Sequence, residues 1–144
     1  MVMMALPQGR VSEDPLAITQ QQLDDWLHAW QVKLELKNWN ISVRLSHPGD
    51  LERETLGVLH INAAASTAAI AVLDPHDYGT IGHGYELLSP GQMRTDAERS
   101  IVHELVHLEL STLPVTGNRQ EAEEQVVQRI TSAFMGRPIV FRSK

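Results

Sequence analysis

His103-Glu104-Leu105-Val106-His107 lies inside Thr95-Asp96-Ala97-Glu98-Arg99-Ser100-Ile101-Val102-His103-Glu104-Leu105-Val106-His107-Leu108-Glu109-Leu110, a stretch that reads as one helix. Thr95 and Glu98 have the T-x-x-E spacing of a capping box, which predicts a helix start at Thr95. Asp96 and Glu98 would then place negative charge on the first turn, where the helix dipole favours it. On a helix, His103 and His107 are one turn apart and share a face. Two imidazoles at that spacing can bind a single zinc ion. Glu104 beside them can act as a general base toward an activated water.

A catalytic zinc needs three protein ligands and an open position. A third His six residues past the second, with Gly between, is excluded, because Leu110 and Leu113 occupy those positions. The next candidates follow the turn Leu113-Pro114-Val115-Thr116-Gly117-Asn118, on a helix predicted from Arg119 to Met135. Its apolar stripe reads Ala122, Val126, Val127, Ile130, Ala133 and Phe134, and Gly136 and Pro138 end it. His107 and Glu123 lie at similar distances from the turn, about 7–8 Å at 1.5 Å per residue. An antiparallel pair of helices therefore brings Glu123 level with His107. Glu123 falls near the middle of the stripe, Glu124 on its edge, and Glu121 points away. Glu123 is the expected third ligand and Glu124 the alternative.

Upstream, Thr19 and Gln22 form another capping box. Leu23, Trp26, Leu27, Trp30 and Leu34 recur at helical spacing, predicting a helix over 19–36 whose tryptophans pack. Trp39, Ile41, Val43 and Leu45 alternate with polar residues, as a half-buried strand does. His47-Pro48-Gly49-Asp50 is a turn. Strands follow over 58–63 and 68–73, joined as a hairpin through Ala64-Ala65-Ser66-Thr67. Residues 74–94 hold Pro75, Gly79, Gly82, Gly84, Pro90 and Gly91 and read as a long connection. His76, Tyr78, His83 and Tyr85 lie on it. His83 and Tyr85 lead as candidate donors to a reaction oxyanion, with Tyr78 and His76 behind them. Ile139-Val140-Phe141 reads as a short extended tail.

The chain's 144 residues suit one domain. Residues 1–17, with Pro7, Gly9 and Pro15 and no period, read as a flexible arm, and 18–144 as the domain. Hydrophobic residues make up 42% and charged residues 21%, which excludes general disorder. With 12 basic and 18 acidic residues the net charge is −6, so nucleic acid is not indicated as a partner. The absence of Cys excludes disulfides and cysteine-based zinc sites. No run reaches the roughly 20 apolar residues of a membrane span, and residues 1–6 lack a signal-peptide pattern. A cytoplasmic protein is expected.

At His103-Glu104-x-x-His107 with Glu123, the chain resembles the zincin-like metallopeptidases of HExxH-plus-Glu, or gluzincin, type. The layout is that of compact bacterial and phage-type members near the ImmA/IrrE-like group. Val127 stands where the thermolysin-type pattern has an Asp. The resemblance implies an α+β zincin-like domain. Its order would be an N-terminal helix, a small, mostly antiparallel sheet, the HExxH helix and an antiparallel ligand helix. It also implies one zinc per chain, hydrolysis of a peptide or protein substrate, and a sheet edge that holds substrate as an added strand. Two other readings are a zinc-retaining, non-catalytic protein-binding module and an assembly protein with a coincidental HExxH.

Overall fold

The structure, a computed structural model, describes residues 14–51, 55–82, 84–112 and 120–136. Helix α1 (Gln20–Lys33) starts where the sequence places it. Thr19 Oγ1 accepts from the Gln22 amide, and Gln22 Oε1 accepts from the Thr19 amide, each at 3.1 Å. Leu23, Leu27 and Trp30 form its buried line. The helix ends three residues before the expected 36. Glu35 turns left-handed at φ 57°, and the Leu36 and Glu35 amides donate to the Gln31 and Val32 carbonyls. Trp30 packs, as expected. Its Nε1 donates to Glu98 Oε2 at 2.7 Å, and its ring meets Phe134 edge to face at 5.5 Å.

Strands β1 (Asn40–Ser46), β2 (Gly57–Asn62) and β3 (Thr67–Leu73) make a sheet of order β1-β3-β2. Thus β3 is parallel to β1 and antiparallel to β2, and the sheet is mixed rather than mostly antiparallel. The apolar run Ala68–Leu73 explains why β3 takes the centre: a strand with neighbours on both sides and a covered face carries little polar surface. The connection after β1 must then carry the chain to the far edge. The hairpin from β2 to β3 forms without Asn-Gly. Asn62 Oδ1 accepts from the Ala65 amide, and Ser66 takes the left-handed position.

Register sorts the sheet into two faces. Val43, Ile70 and Leu59 align across the strands, as do Leu45, Val72 and Gly57. Ile41, Val43, Leu45, Leu59, Ala68, Ile70 and Val72 all pack into one core with the helices. Burying each of the larger side chains contributes roughly 1.5–3 kcal/mol.

Residues 74–82 and 84–89 hold more regular structure than the predicted connection. Two 3₁₀ turns, Pro75–Thr80 and Tyr85–Leu87, wrap a second apolar cluster of Leu56, Leu73, Tyr78, Ile81, Tyr85, Leu88 and Met93. The aromatic rings anchor the segment, with Tyr78 and Tyr85 edge to face at 5.7 Å. Residues 14–17, expected within the flexible arm, are also held. Leu16 packs on this cluster, and Asp14 Oδ2 lies 2.6 Å from His76 Nε2.

Helix α2 (Pro90–Ser111) starts five residues before the expected Thr95. Ser89 caps it in a capping box with Gln92, and Pro90 fills the first helical position, where its missing N–H costs nothing. Asp96 and Glu98 are therefore not in the first turn. Asp96 is buried and accepts from Tyr78 Oη at 3.3 Å, while Glu98 binds Trp30. Helix α3 (Gln120–Met135) runs antiparallel to α2, since His107 meets Glu123 and Glu124 while Arg99 Nη1 reaches the Gly136 carbonyl at 2.7 Å. The turn at 113–118 and the tail at 139–141 lie outside the described residues. No described helix is long and apolar enough to cross a membrane.

Candidate metal centre

One turn of α2 supplies His103, Glu104 and His107. The first two are buried, at 7% and 8% exposure, because α2 is the central helix and its inner face lies against the sheet and α3. The imidazole centroids are 5.0 Å apart. Helix α3 presents Glu124 to both rings. Glu124 Oε2 lies 2.9 Å from His103 Nε2, and Glu124 Oε1 lies 3.0 Å from His107 Nε2. Glu123 Oε2 lies 3.0 Å from His107 Nδ1, on the other side of that ring.

His103, His107 and Glu124 each offer a ligand atom, and these atoms all lie within 4.8 Å of one another. Two imidazole nitrogens and a carboxylate oxygen form a donor set that suits zinc. The geometry thus gathers the alternative, Glu124, into the trio, while the expected ligand, Glu123, sits at the wrong nitrogen to share a metal with it. The inner face of α3 accounts for this. Glu124, Val127 and Thr131 lie on one line at helical spacing, and Val127 and Thr131 are both buried. Phe134, which drew the expected stripe toward Glu123, is 47% exposed and turns to Trp30. The missed signal was Thr131, a polar residue on the buried line.

Burial disfavours charge on His107, but the hydrogen bonds it donates to Glu124 and Glu123, with the Glu104 charge nearby, outweigh it and raise its pKa to about 9. Burial pushes the Glu124 carboxyl up, while hydrogen bonds accepted from His103 and His107 bring it well below the usual carboxylate range. Both shifts have one cause, the pairing of imidazoles with carboxylates across α2 and α3.

Glu104 leans on the sheet edge. A Cβ added to Gly57 would lie 3.3 Å from Glu104 Oε2 and 3.4 Å from the Ala71 carbonyl oxygen. Gly57 is opposite Val72, so its missing side chain would point into the helix layer. The HExxH spacing by itself does not point to Gly57. A glycine at the head of a strand, where another group comes close, is the sign it carried.

The expected oxyanion donors make their described contacts elsewhere. Tyr85 and Tyr78 belong to the second cluster, and His76 bridges Asp74 and Asp14 at 2.6 Å to each. His83 lies outside the described residues. No protein-family model, curated protein or solved structure matches the chain.

Proposed function

We propose that the chain is a zinc-dependent peptidase in which His103, His107 and Glu124 hold the metal and Glu104 is the general base. The observation that carries this is the convergence of three zinc-type donors from two helices, with a carboxylate on the same turn as the two His. Zinc bound there supplies Lewis acidity and makes water a competent nucleophile near neutral pH. Glu104 takes the proton from the attacking water and delivers it to the leaving amine. Its burial against Gly57 fixes the carboxylate and limits its access to bulk water.

The sheet edge beside Glu104 supports a polypeptide substrate. The Leu73 amide donates to the Leu56 carbonyl, so Gly57–Val72 is a non-hydrogen-bonded pair. The backbone N–H and C=O of Gly57 and Leu59 then point away from β3, and β2 is an edge strand. An extended peptide can pair with them as an added strand. The test is cleavage of an unfolded protein such as casein by zinc-loaded chain, set against Glu104→Gln. The variant is expected to keep zinc and fold and to lose turnover, because an amide cannot accept the proton. Equal turnover would refute the assigned base, and zinc uptake without any cleavage would favour a binding module.

A further inference from the structure

Resting on that reading of the site, we propose that Glu123 is a positioning residue, orienting His107 for the metal without binding the metal itself. Glu123 and Glu124 are adjacent on α3, so their side chains leave the helix about 100° apart. They close on His107 from opposite sides, Glu124 at Nε2 and Glu123 at Nδ1, both at 3.0 Å. Glu124 also reaches Nε2 of His103, so the shared position lies between the two Nε2 atoms and Glu124. Nδ1 of His107 points out of that trio, and Glu123 meets it there.

A neutral imidazole has one N–H and one lone pair, and the partner of one nitrogen fixes the role of the other. An acceptor at Nδ1 holds the proton there and leaves the Nε2 lone pair for the metal. The negative charge of that acceptor also makes the imidazole a stronger donor. His107 needs such a clamp more than His103 does. Its side chain is 23% exposed against 9% for His103, so packing restrains its ring less. Losing an outer partner of this kind typically weakens metal binding about ten- to a hundred-fold.

The experiment is a chelator-competition titration with zinc on wild type, Glu123→Ala, Glu123→Gln and Glu124→Ala. Histidine ¹H–¹⁵N spectra of the zinc-loaded proteins would be recorded alongside. Glu123→Ala is expected to lose about ten- to a hundred-fold in affinity. Glu123→Gln should recover most of that, since its amide oxygen accepts from Nδ1–H, and Glu124→Ala should lose most. Wild type and Glu123→Gln should show His107 protonated at Nδ1. Unchanged affinity in Glu123→Ala, or Glu123→Gln no better than Ala, overturns the positioning role alone. A loss in Glu123→Ala as large as that in Glu124→Ala would make Glu123 a ligand and overturn it too. Wild type that takes up no zinc overturns the metal reading, and this proposal with it.

Discussion

Replacing Gly57 with Ala tests how closely the strand holds Glu104, the proposed general base. The new methyl would sit 3.3 Å from Glu104 Oε2, 3.7 Å from Glu104 Cγ and 3.4 Å from the Ala71 carbonyl oxygen. Ala71 is on the central strand, buried and paired on both sides, so its carbonyl cannot retreat. Glu104 must give way, by about 0.3 Å to restore ordinary contact. Stability should change little. Overpacking costs about 1 kcal/mol at the mild end, and the smaller entropy of the unfolded chain returns about 0.4–1 kcal/mol. Activity should respond more. Misplacing a catalytic group by about 1 Å costs about a hundred-fold, so a few tenths of an ångström corresponds to about a three- to ten-fold fall in kcat. Zinc affinity should hold, because Glu104 is outside the proposed ligand trio. The assay is kcat and KM at full zinc occupancy, with a thermal melt and a chelator titration on the same samples. Unchanged kcat, or a fall in zinc affinity that accounts for the lost rate, would refute the reasoning.

Glu35→Gly should stabilise the fold by about 0.5–1 kcal/mol in urea denaturation, since Glu35 sits at φ 57° in a helix-ending position that glycine fills without strain. The same change removes a carboxylate whose charge, after burial, helps raise the pKa of Glu109. His76 should titrate above 6.5, because hydrogen bonds to Asp74 and then Asp14 favour its charged form. A raised folded pKa means that the bridge contributes stability fully below the unfolded value and loses it as pH rises through the folded one. Histidine NMR on wild type and Asp14→Asn checks this, with a lower midpoint and a flatter melting profile above pH 6.5 expected for the variant.

The parts of this fold that were legible in sequence are those set by local chemistry. Thr19 and Gln22 announce α1, alternation from Trp39 to Leu45 announces β1, and the helical spacing after Arg119 announces α3. Two features needed contacts far apart in the chain. Whether β3 inserts between β1 and β2 depends on pairing across the sheet, which no local pattern encodes. The phase of α3 depends on what each side chain meets, and apolar Phe134 turns outward to Trp30 while polar Thr131 turns in. That rotation puts Glu124, rather than Glu123, in the group that could hold a metal. At the start of α2 two local signals compete. Ser89-Pro90-Gly91-Gln92 and Thr95-Asp96-Ala97-Glu98 both spell a cap, and Pro90 decides for the earlier one.

The parity of β2 gives strand length a meaning that residue identity does not. Its exposed end, His60 to Asn62, lies about 10 Å along the strand from Gly57 and has little to pack against. Substitution there is cheap. Deletion of a single residue there is not, if the hairpin keeps its pairing with β3. Every side chain upstream would then change faces, and Leu56 would arrive where Gly57 leaves room for the Glu104 carboxylate. Variants of this chain should therefore tolerate many replacements at the tip of β2 and no change in its residue count, although the tip itself is exposed.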